Sequence, residues 1–193
     1  TGIAALIVTL QPILTNILSG PILNEKVTFK QWIGAFLGFV GAALVLGLDL
    51  GEEIPTFGLI ATIIALIAIT TSTIWQKKLS NNLPLSVSNF YQAIGGCLFH
   101  LLIVIFFTRA FIDFNITFFV AMSHQIFLVS FGAFTILMFL IKKNSASKTV
   151  SIFFLIPATS ALMAWFFLKE SLTVTDLIGF LIASIGVYIA TRD

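Results

Sequence analysis

The stretch that decides the fold spans residues 10–34 and reads LQPILTNILSGPILNEKVTFKQWIG. An apolar segment that contains proline runs into a short charged link, and a second apolar segment follows. A related stretch spans residues 155–179 and reads LIPATSALMAWFFLKESLTVTDLIG. The two stretches lie 145 residues apart, so the sequence predicts the same helical hairpin twice.

Individual residues recur at this offset beyond the quoted stretches. They are Pro12, Thr15, Glu25, Thr28, Ile33, Gly34 and Gly41, which match Pro157, Ser160, Glu170, Thr173, Ile178, Gly179 and Gly186. A proline inside a helix removes a backbone donor and bends the helix. A threonine three residues before Gln31 or Asp176 is typical of a helix N-cap. The paired glycines fall on one helix face, where small residues allow close packing in lipid.

The composition indicates that most of the chain lies in a lipid bilayer. Of its 193 residues, 59% are hydrophobic and 9% are charged, whereas a soluble domain carries about a quarter charged residues. The charges form short clusters separated by uncharged stretches of about 18 to 30 residues, the length that a helix needs to cross a bilayer. The strands of a membrane barrel would be shorter and would alternate apolar with polar residues. A net charge of +2 gives no indication of nucleic-acid binding.

The apolar runs between charge clusters predict an all-α membrane protein with seven transmembrane helices. The predicted spans are residues 2–23, 31–48, 56–76, 86–107, 119–141, 149–168 and 174–191. The aromatic segment 111–119 is expected at the membrane interface before the fifth span. The chain begins inside an apolar run, so we expect it to be the C-terminal part of a longer protein.

The direction of the spans follows from the Lys and Arg residues, because these are enriched in cytoplasmic loops. One set of alternate loops, with the C-terminus, holds eight of the ten, and the other set holds only Arg109 and Lys169. The C-terminus is therefore predicted to be cytoplasmic, and the acidic loop with Asp49, Glu52 and Glu53 is predicted to face outwards.

The two hairpins are predicted to have opposite orientations, because the first helix of the second hairpin is the sixth span, and an odd offset of five spans reverses the direction of crossing. Two units of opposite topology are the architecture of many secondary transporters, whose substrate binds near the membrane midplane between the repeats.

Both hairpins resemble the EamA repeat of the drug/metabolite transporter superfamily. The resemblance is carried by residues 10–12, 25–28 and 31–34, by residues 155–157 and 168–173 with Gly179, Gly186 and Val187, and by residues 74–78 with Gln92. It implies helices 4 to 10 of a ten-helix bacterial transporter with two inverted five-helix repeats. Residues 1–50 would be the C-terminal helix pair of a truncated first repeat, and residues 56–193 would be the second repeat. The family implies a location in the inner cell membrane and export or exchange of a small solute.

No charge lies inside a predicted span apart from Asp176 in the first turn of the seventh, so substrate recognition would depend on neutral polar and aromatic groups. The candidate substrate-binding residues are Gln11, Pro12, Thr15, Thr73, Gln76, Tyr91, Gln92, Pro157 and Ser160. For the isolated hydroxyl groups, a bond to their own helix backbone is the favoured alternative. For the prolines, a gate that lines the site and a simple packing bend are equally supported.

Six residues are candidates for gating or structural roles: Glu25, Glu170, Gly34, Gly41, Gly179 and Gly186. For the glutamates, an ion pair or hydrogen bond that orients a loop is favoured over a direct role in coupling, although carboxylates in membrane proteins often mark proton or ion routes. The glycines are interpreted as packing residues.

The function predicted from these features is a secondary transporter that moves a small polar metabolite, such as an amino acid, amine or nucleobase, by alternating access. A flippase for a lipid-linked substrate and a non-transporting fragment are the alternatives. The sequence carries no catalytic constellation and no metal motif, so we expect no enzyme activity, no cofactor and no metal. The expected partners are the lipid bilayer and a small-molecule solute, without nucleic acid, and a homodimer is left open.

Overall fold

The computed structural model describes residues 2–47, 55–80, 83–107 and 113–192 of the chain. Seven helices in these ranges are long and apolar enough to cross a membrane. They are α1 (Ile3–Leu23), α2 (Phe29–Leu46), α3 (Thr56–Leu79), α4 (Leu85–Phe106), α5 (Ile116–Lys143), α6 (Ala146–Leu168) and α7 (Val174–Thr191). The predicted number of spans is confirmed for the described ranges, and the protein is an all-helical, multi-pass membrane protein.

Two helices begin three residues earlier than predicted, because side chains cap them. The Asn115 side chain accepts a hydrogen bond of 2.8 Å from the N–H of Phe118, so α5 begins at Ile116. The segment predicted to lie at the interface is therefore helical from Ile116 onwards, and residues 111 and 112 are outside the described ranges. The hydroxyl of Ser145 accepts a hydrogen bond of 3.2 Å from the N–H of Lys148 and caps α6 in the same way.

The predicted capping motifs are confirmed in both hairpins. The Thr28 hydroxyl accepts from the N–H of Gln31, and the Gln31 side chain accepts from the N–H of Thr28 at 2.7 Å. The second hairpin repeats this arrangement with Thr173 and Asp176, where the return bond is 2.8 Å. Each box satisfies backbone donors that the first turn of α2 or α7 would otherwise leave unpaired.

The backbone of the two hairpins also repeats at the turn that ends the first helix. Asn24 has a φ of 56° and Lys169 has a φ of 55°, 145 positions later. The following N–H group bonds back into the helix in both copies, from Glu25 to Ser19 at 3.3 Å and from Glu170 to Ala164 at 3.4 Å. A left-handed residue with this return bond is a common way to end a helix.

Both repeated prolines coincide with a break in regular helix. In α1 the α-helical conformation stops at Val8 and resumes at Gln11, next to Pro12. In α6 the residues Ile152–Leu155 tighten into a 3₁₀ turn just before Pro157. A proline cannot donate to the preceding turn, which explains why the helix is irregular at the same place in each copy.

The second helices of the two hairpins, α2 and α7, pack directly on each other. A Cβ atom on Gly34 would lie 2.5 Å from the carbonyl oxygen of Gly186, and one on Gly41 would lie 2.6 Å from that of Gly179. We call these four residues the glycine seam. Because Gly34 near the start of α2 faces Gly186 near the end of α7, and Gly41 faces Gly179, the two helices run antiparallel. Only residues without side chains permit this backbone approach.

The helices divide into two compact units, residues up to Lys78 with those from Asn144 onwards, and residues Leu79–Lys143. The core of the first unit contains the fully buried Phe154 of α6, which lies over Gly38 of α2 beside Ala35 and Ala42. The second unit contains α4 and α5, and α5 includes a π-helical stretch, His124–Ala133. The charges Asp49, Glu52, Glu53 and Arg109, on which part of the predicted membrane direction depends, lie outside the described residues.

Candidate functional site

A cluster of buried polar side chains lies in the first unit, on three of its helices. We call it the polar cluster; its members are Gln11, Thr15, Asn16 and Ser19 of α1, Thr70, Thr73 and Gln76 of α3, and Ser147 of α6. Each is less than one-tenth exposed. Polar groups buried in a membrane protein are costly unless they are hydrogen-bonded, so the partners of these side chains show what the cluster can do.

Gln11 and Thr73 connect α1 to α3. The side-chain Nε2 group of Gln11 donates a hydrogen bond of 3.2 Å to the Thr73 hydroxyl. The Thr73 hydroxyl in turn donates to the carbonyl of Ile69 at 2.9 Å. The structure therefore brings together two residues that the sequence singled out separately, 62 positions apart. Gln11 occupies the first turn after the break in α1.

Most hydroxyl groups of the cluster bond to their own helix. The Thr15 hydroxyl donates to the carbonyl of Gln11 at 2.8 Å, the Ser19 hydroxyl to that of Asn16 at 3.3 Å, and the Thr70 hydroxyl to that of Leu66 at 2.7 Å. Their protons are thus committed to the backbone, as is common for hydroxyls in membrane helices. These side chains retain oxygen lone pairs and can accept hydrogen bonds.

Asn16 connects α1 to α6, and the sequence analysis did not select it. Its Oδ1 atom accepts a hydrogen bond from the Ser147 hydroxyl. Its Nδ2 group is buried, and no described atom accepts from it. A buried donor without a partner costs about 1–3 kcal/mol, and among the described residues the Nδ2 atom of Asn16 is the one buried side-chain nitrogen or oxygen without a hydrogen-bond partner.

Glu25 follows the C-terminal end of α1 and contacts the beginning of α6. Both oxygens of its carboxylate accept from the N–H of Ala146, at 3.0 and 3.2 Å. Burial raises the pKa of the Glu25 carboxyl above its ordinary value of 4.5, while the N–H of Ala146, the charge of Lys77 and the N–H of Ser147 act in the opposite direction. Lys77, near the end of α3, donates to the carbonyl of Asn144 at 2.6 Å. Three chain segments therefore meet at Glu25.

The second copy of the hairpin has a different environment. Glu170 is exposed, whereas Glu25 is half-buried, and Ser160 is exposed, whereas its counterpart Thr15 is fully buried. Pro157 is buried, like Pro12. An open groove runs along this exposed part of α6, lined by Thr159, Ser160, Met163, Ala164, Phe167 and Leu168. The two hairpins thus have the same backbone conformation at the turn, but equivalent side chains differ in how deeply they are buried.

The remaining predicted site residues are divided between the two units. Gln76 is buried at the end of α3, in the first unit. Tyr91 and Gln92 belong to the second unit, where Tyr91 is exposed and Gln92 donates to the Ser88 hydroxyl at 3.3 Å. In the described ranges, no group of His, Cys, Asp or Glu residues could hold a metal ion.

Two members of the cluster could not be found by the spacing of polar residues. Gln11, Thr15 and Ser19 recur every four residues and form one stripe on α1, and Asn16 lies beside that stripe. Ser147 precedes the predicted start of the sixth span, so it was assigned to a loop. The capping role of Ser145 was the available signal, because a cap at that position starts the helix before Ser147.

The chain was compared with families of known proteins. The model of the EamA-like transporter family matches residues 1–47 and 56–192. The chain belongs to the EamA-like transporter family. The match covers nearly the whole sequence in two segments, and the boundary between the segments falls between α2 and α3.

Three relatives of the chain agree with this placement. The chain is 29% identical over 184 residues to YvbV of Bacillus subtilis, with coverage of 94% of this chain and 60% of the relative. It is 28% identical over 197 residues to YyaM of the same organism, with coverage of 97% and 63%. A protein of Archaeoglobus fulgidus is 24% identical, with coverage of 100% and 68%. All three are described as uncharacterized transporters. The chain thus spans 60–63% of the length of the two Bacillus relatives.

Solved structures share the fold, among them a crystal structure of another protein. It superposes with a TM-score of 0.81 over 98% of this chain and 66% of the other, at 17% sequence identity. At that identity the likeness shows the fold alone. The family match and the seven apolar helices together place the chain among the multi-pass membrane proteins of the EamA-like family.

Proposed function

We propose that this EamA-like protein is a secondary transporter that moves a small polar metabolite, such as an amino acid, amine or nucleobase, by alternating access. The observation that carries the proposal is the polar cluster, in which neutral hydrogen-bonding side chains of α1, α3 and α6 are buried together. A membrane protein that only packed its helices would need few such groups, because apolar and small residues suffice.

The composition of the cluster favours a polar solute over an ion. Its members are amides and hydroxyls, and the α1 span holds no charged residue. Such groups recognise the hydrogen-bonding pattern of a metabolite and provide no charge to neutralise an ion. Gln11, Thr15, Thr73 and Gln76 would supply this recognition from the first unit, while Pro12, Tyr91, Gln92, Pro157 and Ser160 complete the set that we assign to the solute path.

The breaks beside Pro12 and Pro157 support a mechanism in which α1 and α6 move. Interrupted helices at corresponding positions of two repeats are a feature of transporters that alternate access. The contacts from Gln11 to Thr73 and from Asn16 to Ser147 lie after the break in α1, on the segment that would be displaced. We assign Glu25 and Glu170 to the ends of these moving helices.

We further propose that the chain represents helices 4 to 10 of a ten-helix protein with two inverted five-helix repeats. The antiparallel packing of α2 on α7 through Gly34, Gly41, Gly179 and Gly186 supports an inverted relationship. The length of the relatives supports additional helices. The exposure of Ser160, opposed to the burial of Thr15, supports a missing helix over the groove of α6.

The location that we propose is the inner cell membrane, with a cytoplasmic C-terminus. Lys26, Lys77, Lys142 and Arg192 belong to the basic loop set, and membrane proteins place such loops on the cytoplasmic side. A cysteine introduced at Thr191 should resist an impermeant maleimide in intact cells. The same cysteine should react after the membrane is opened, and labelling in intact cells would contradict the assignment.

The function is tested by reconstitution of the full-length gene product in proteoliposomes. Counterflow of a labelled amino acid, amine or nucleobase should be observed for at least one member of a broad panel. Movement confined to fluorescent lipids or lipid-linked sugars would instead identify a flippase. If the full-length protein moves no polar solute and no lipid, the transport function is wrong.

A further inference from the structure

The side-chain amide of Asn16 is a donor that nothing described in the molecule uses. Asn16 is 3% exposed, its Oδ1 atom accepts from Ser147, and its Nδ2 group has no partner among the described residues. Buried side-chain donors in native proteins are nearly always hydrogen-bonded. Lipid cannot provide the missing acceptor. The free N–H therefore indicates an acceptor that the described residues do not supply.

The neighbours of Asn16 show which chemistry is available there. Gln11 donates its side-chain N–H to Thr73, and the hydroxyls of Thr15 and Ser19 donate to carbonyls of α1 itself. Ser147 donates to Asn16. The hydroxyl protons of Thr15, Ser19 and Ser147 and one N–H of Gln11 are engaged, whereas the Nδ2 group of Asn16 has no acceptor among the described residues.

We propose that Asn16 binds the transported solute by donating its Nδ2–H group to a carbonyl or carboxylate oxygen. This inference rests on the proposed transport function and narrows its substrate to solutes that carry such an acceptor. Amines without an acceptor oxygen would leave the amide unpaired and would bind more weakly. A site built to form a hydrogen bond rejects an analogue that lacks the matching group, because its own polar atom stays unpaired.

The position of Asn16 is consistent with a side chain that contacts the solute during only part of the proposed transport cycle. The amide is enclosed between α1 and the first turns of α6, which pack against each other. A separation of these two helices would break the contact between Asn16 and Ser147 and would admit solute to both amide atoms. Closure around the solute would then restore a fully bonded Asn16 in the occluded state.

The test uses the full-length gene product and probes that share a side chain and an amino group and differ in the group that carries the acceptor. The probes are phenylalanine, phenylalaninamide and phenethylamine, with the corresponding alanine and leucine series, which present a carboxylate, an amide carbonyl or no acceptor. Binding is read as a rise in the thermal unfolding temperature in detergent, and transport is read as counterflow in proteoliposomes. The wild-type protein should prefer an acceptor-bearing probe over its amine by about tenfold, the ratio expected for one discriminating hydrogen bond.

Two variants examine the donor itself. Asn16→Asp keeps the shape and replaces the N–H by an acceptor, and Asn16→Leu removes both polar atoms and serves if the aspartate variant does not fold. Both should bind the preferred probe about tenfold more weakly. Thr149→Val is the matched control, because Thr149 is also buried on α6 and its hydroxyl bonds to the carbonyl of Ser145 in its own helix. The control should change neither readout.

The two readouts separate this inference from the transport function. If solute moves and Asn16→Leu retains the wild-type preference among the probes, Asn16 is only structural and the inference is overturned while transport stands. If acceptor-bearing probes stabilise the wild type but not Asn16→Leu, and nothing moves, the binding role stands and transport is wrong. A preference for the amine probes, or no effect of any probe on unfolding, also overturns the inference.

Discussion

The carboxylate of Glu25 accepts a hydrogen bond from the backbone N–H of Ala146, at 3.0 and 3.2 Å from its two oxygens. This contact ties the end of α1 to the beginning of α6, the two helices that contain prolines. Acceptors at a helix start satisfy N–H groups that have no partner within the helix. Glu25 therefore caps the start of α6, although it is 121 residues away in the sequence.

Replacement of Glu25 should change how stability depends on pH. Because burial raises the folded-state pKa above 4.5, the folded state holds this proton more tightly than the unfolded state does. Stability should therefore fall as pH rises from 4.5 through the folded-state pKa, and remain level above it. Glu25→Gln should lack this fall. Thermal unfolding in detergent from pH 4 to pH 8 measures the difference between the two proteins.

A matched variant separates the Glu25 contact from a general effect of charge. Glu25→Ala should lower the unfolding free energy by about 1 kcal/mol at pH 7, since it removes acceptors from the start of α6. Glu170→Ala, at the equivalent but exposed position, should change it by less than about 0.5 kcal/mol. Equal effects of the two substitutions would show that the contact with Ala146 does not stabilise the fold.

A methyl group in the glycine seam should be severely destabilising. On Gly41 it would lie 2.4 Å from the backbone nitrogen of Ala183, and neither backbone can move aside easily. Gly41→Ala should cost about 1–3 kcal/mol, the range for overpacking. Gly95→Ala on α4 is the control, because nothing lies within 4 Å of the added atom. Unfolding monitored by tryptophan fluorescence should rank the two variants, and similar stabilities would exclude close packing of α2 on α7.

The hydrogen bond from Gln11 to Thr73 should be measurable as a coupling free energy. A double-mutant cycle with Gln11→Leu and Thr73→Val isolates the pair from the separate effects of each substitution. We expect a coupling of about 0.5–1.5 kcal/mol, as found for hydrogen bonds between membrane helices. Additive effects would mean that the two side chains do not interact in the folded protein.

The break in α1 should matter for transport more than for stability. Pro12→Ala restores a backbone donor and favours a continuous helix, so counterflow should fall by about fivefold while the unfolding temperature stays level or rises. Pro21 provides the control, since it lies in the same helix but on its exposed side. Pro21→Ala should retain counterflow within about twofold. If Pro12→Ala shows the counterflow of the wild type, the break in α1 is not needed for transport.

The sequence predicted the hairpins well because their signals are local. A proline disrupts helix within its own turn, and Thr28 and Thr173 cap residues three positions away. Such effects need no knowledge of the rest of the fold. The same holds for the number of spans, which depends on the length of each uncharged stretch.

The burial and the contacts of individual side chains could not be predicted from the sequence. Glu25 and Glu170 are equivalent in sequence, yet only Glu25 meets the start of α6, and that contact joins positions 121 residues apart. Asn16 was overlooked for a similar reason. Its partner Ser147 is 131 residues away, and the pair can be recognised only when α1 and α6 are placed side by side.

The glycine seam has a mechanical consequence. Where Gly34 faces Gly186 and Gly41 faces Gly179, the two backbones are in contact without side chains between them. No flexible side chains are present there to repack, so sliding or tilting of α2 against α7 would bring backbone atoms into collision. Movement in the first unit must then occur around this pair rather than within it. In the proposed transport cycle, α2 and α7 are the fixed axis of the first unit, and the proline-containing helices α1 and α6 are the parts that move.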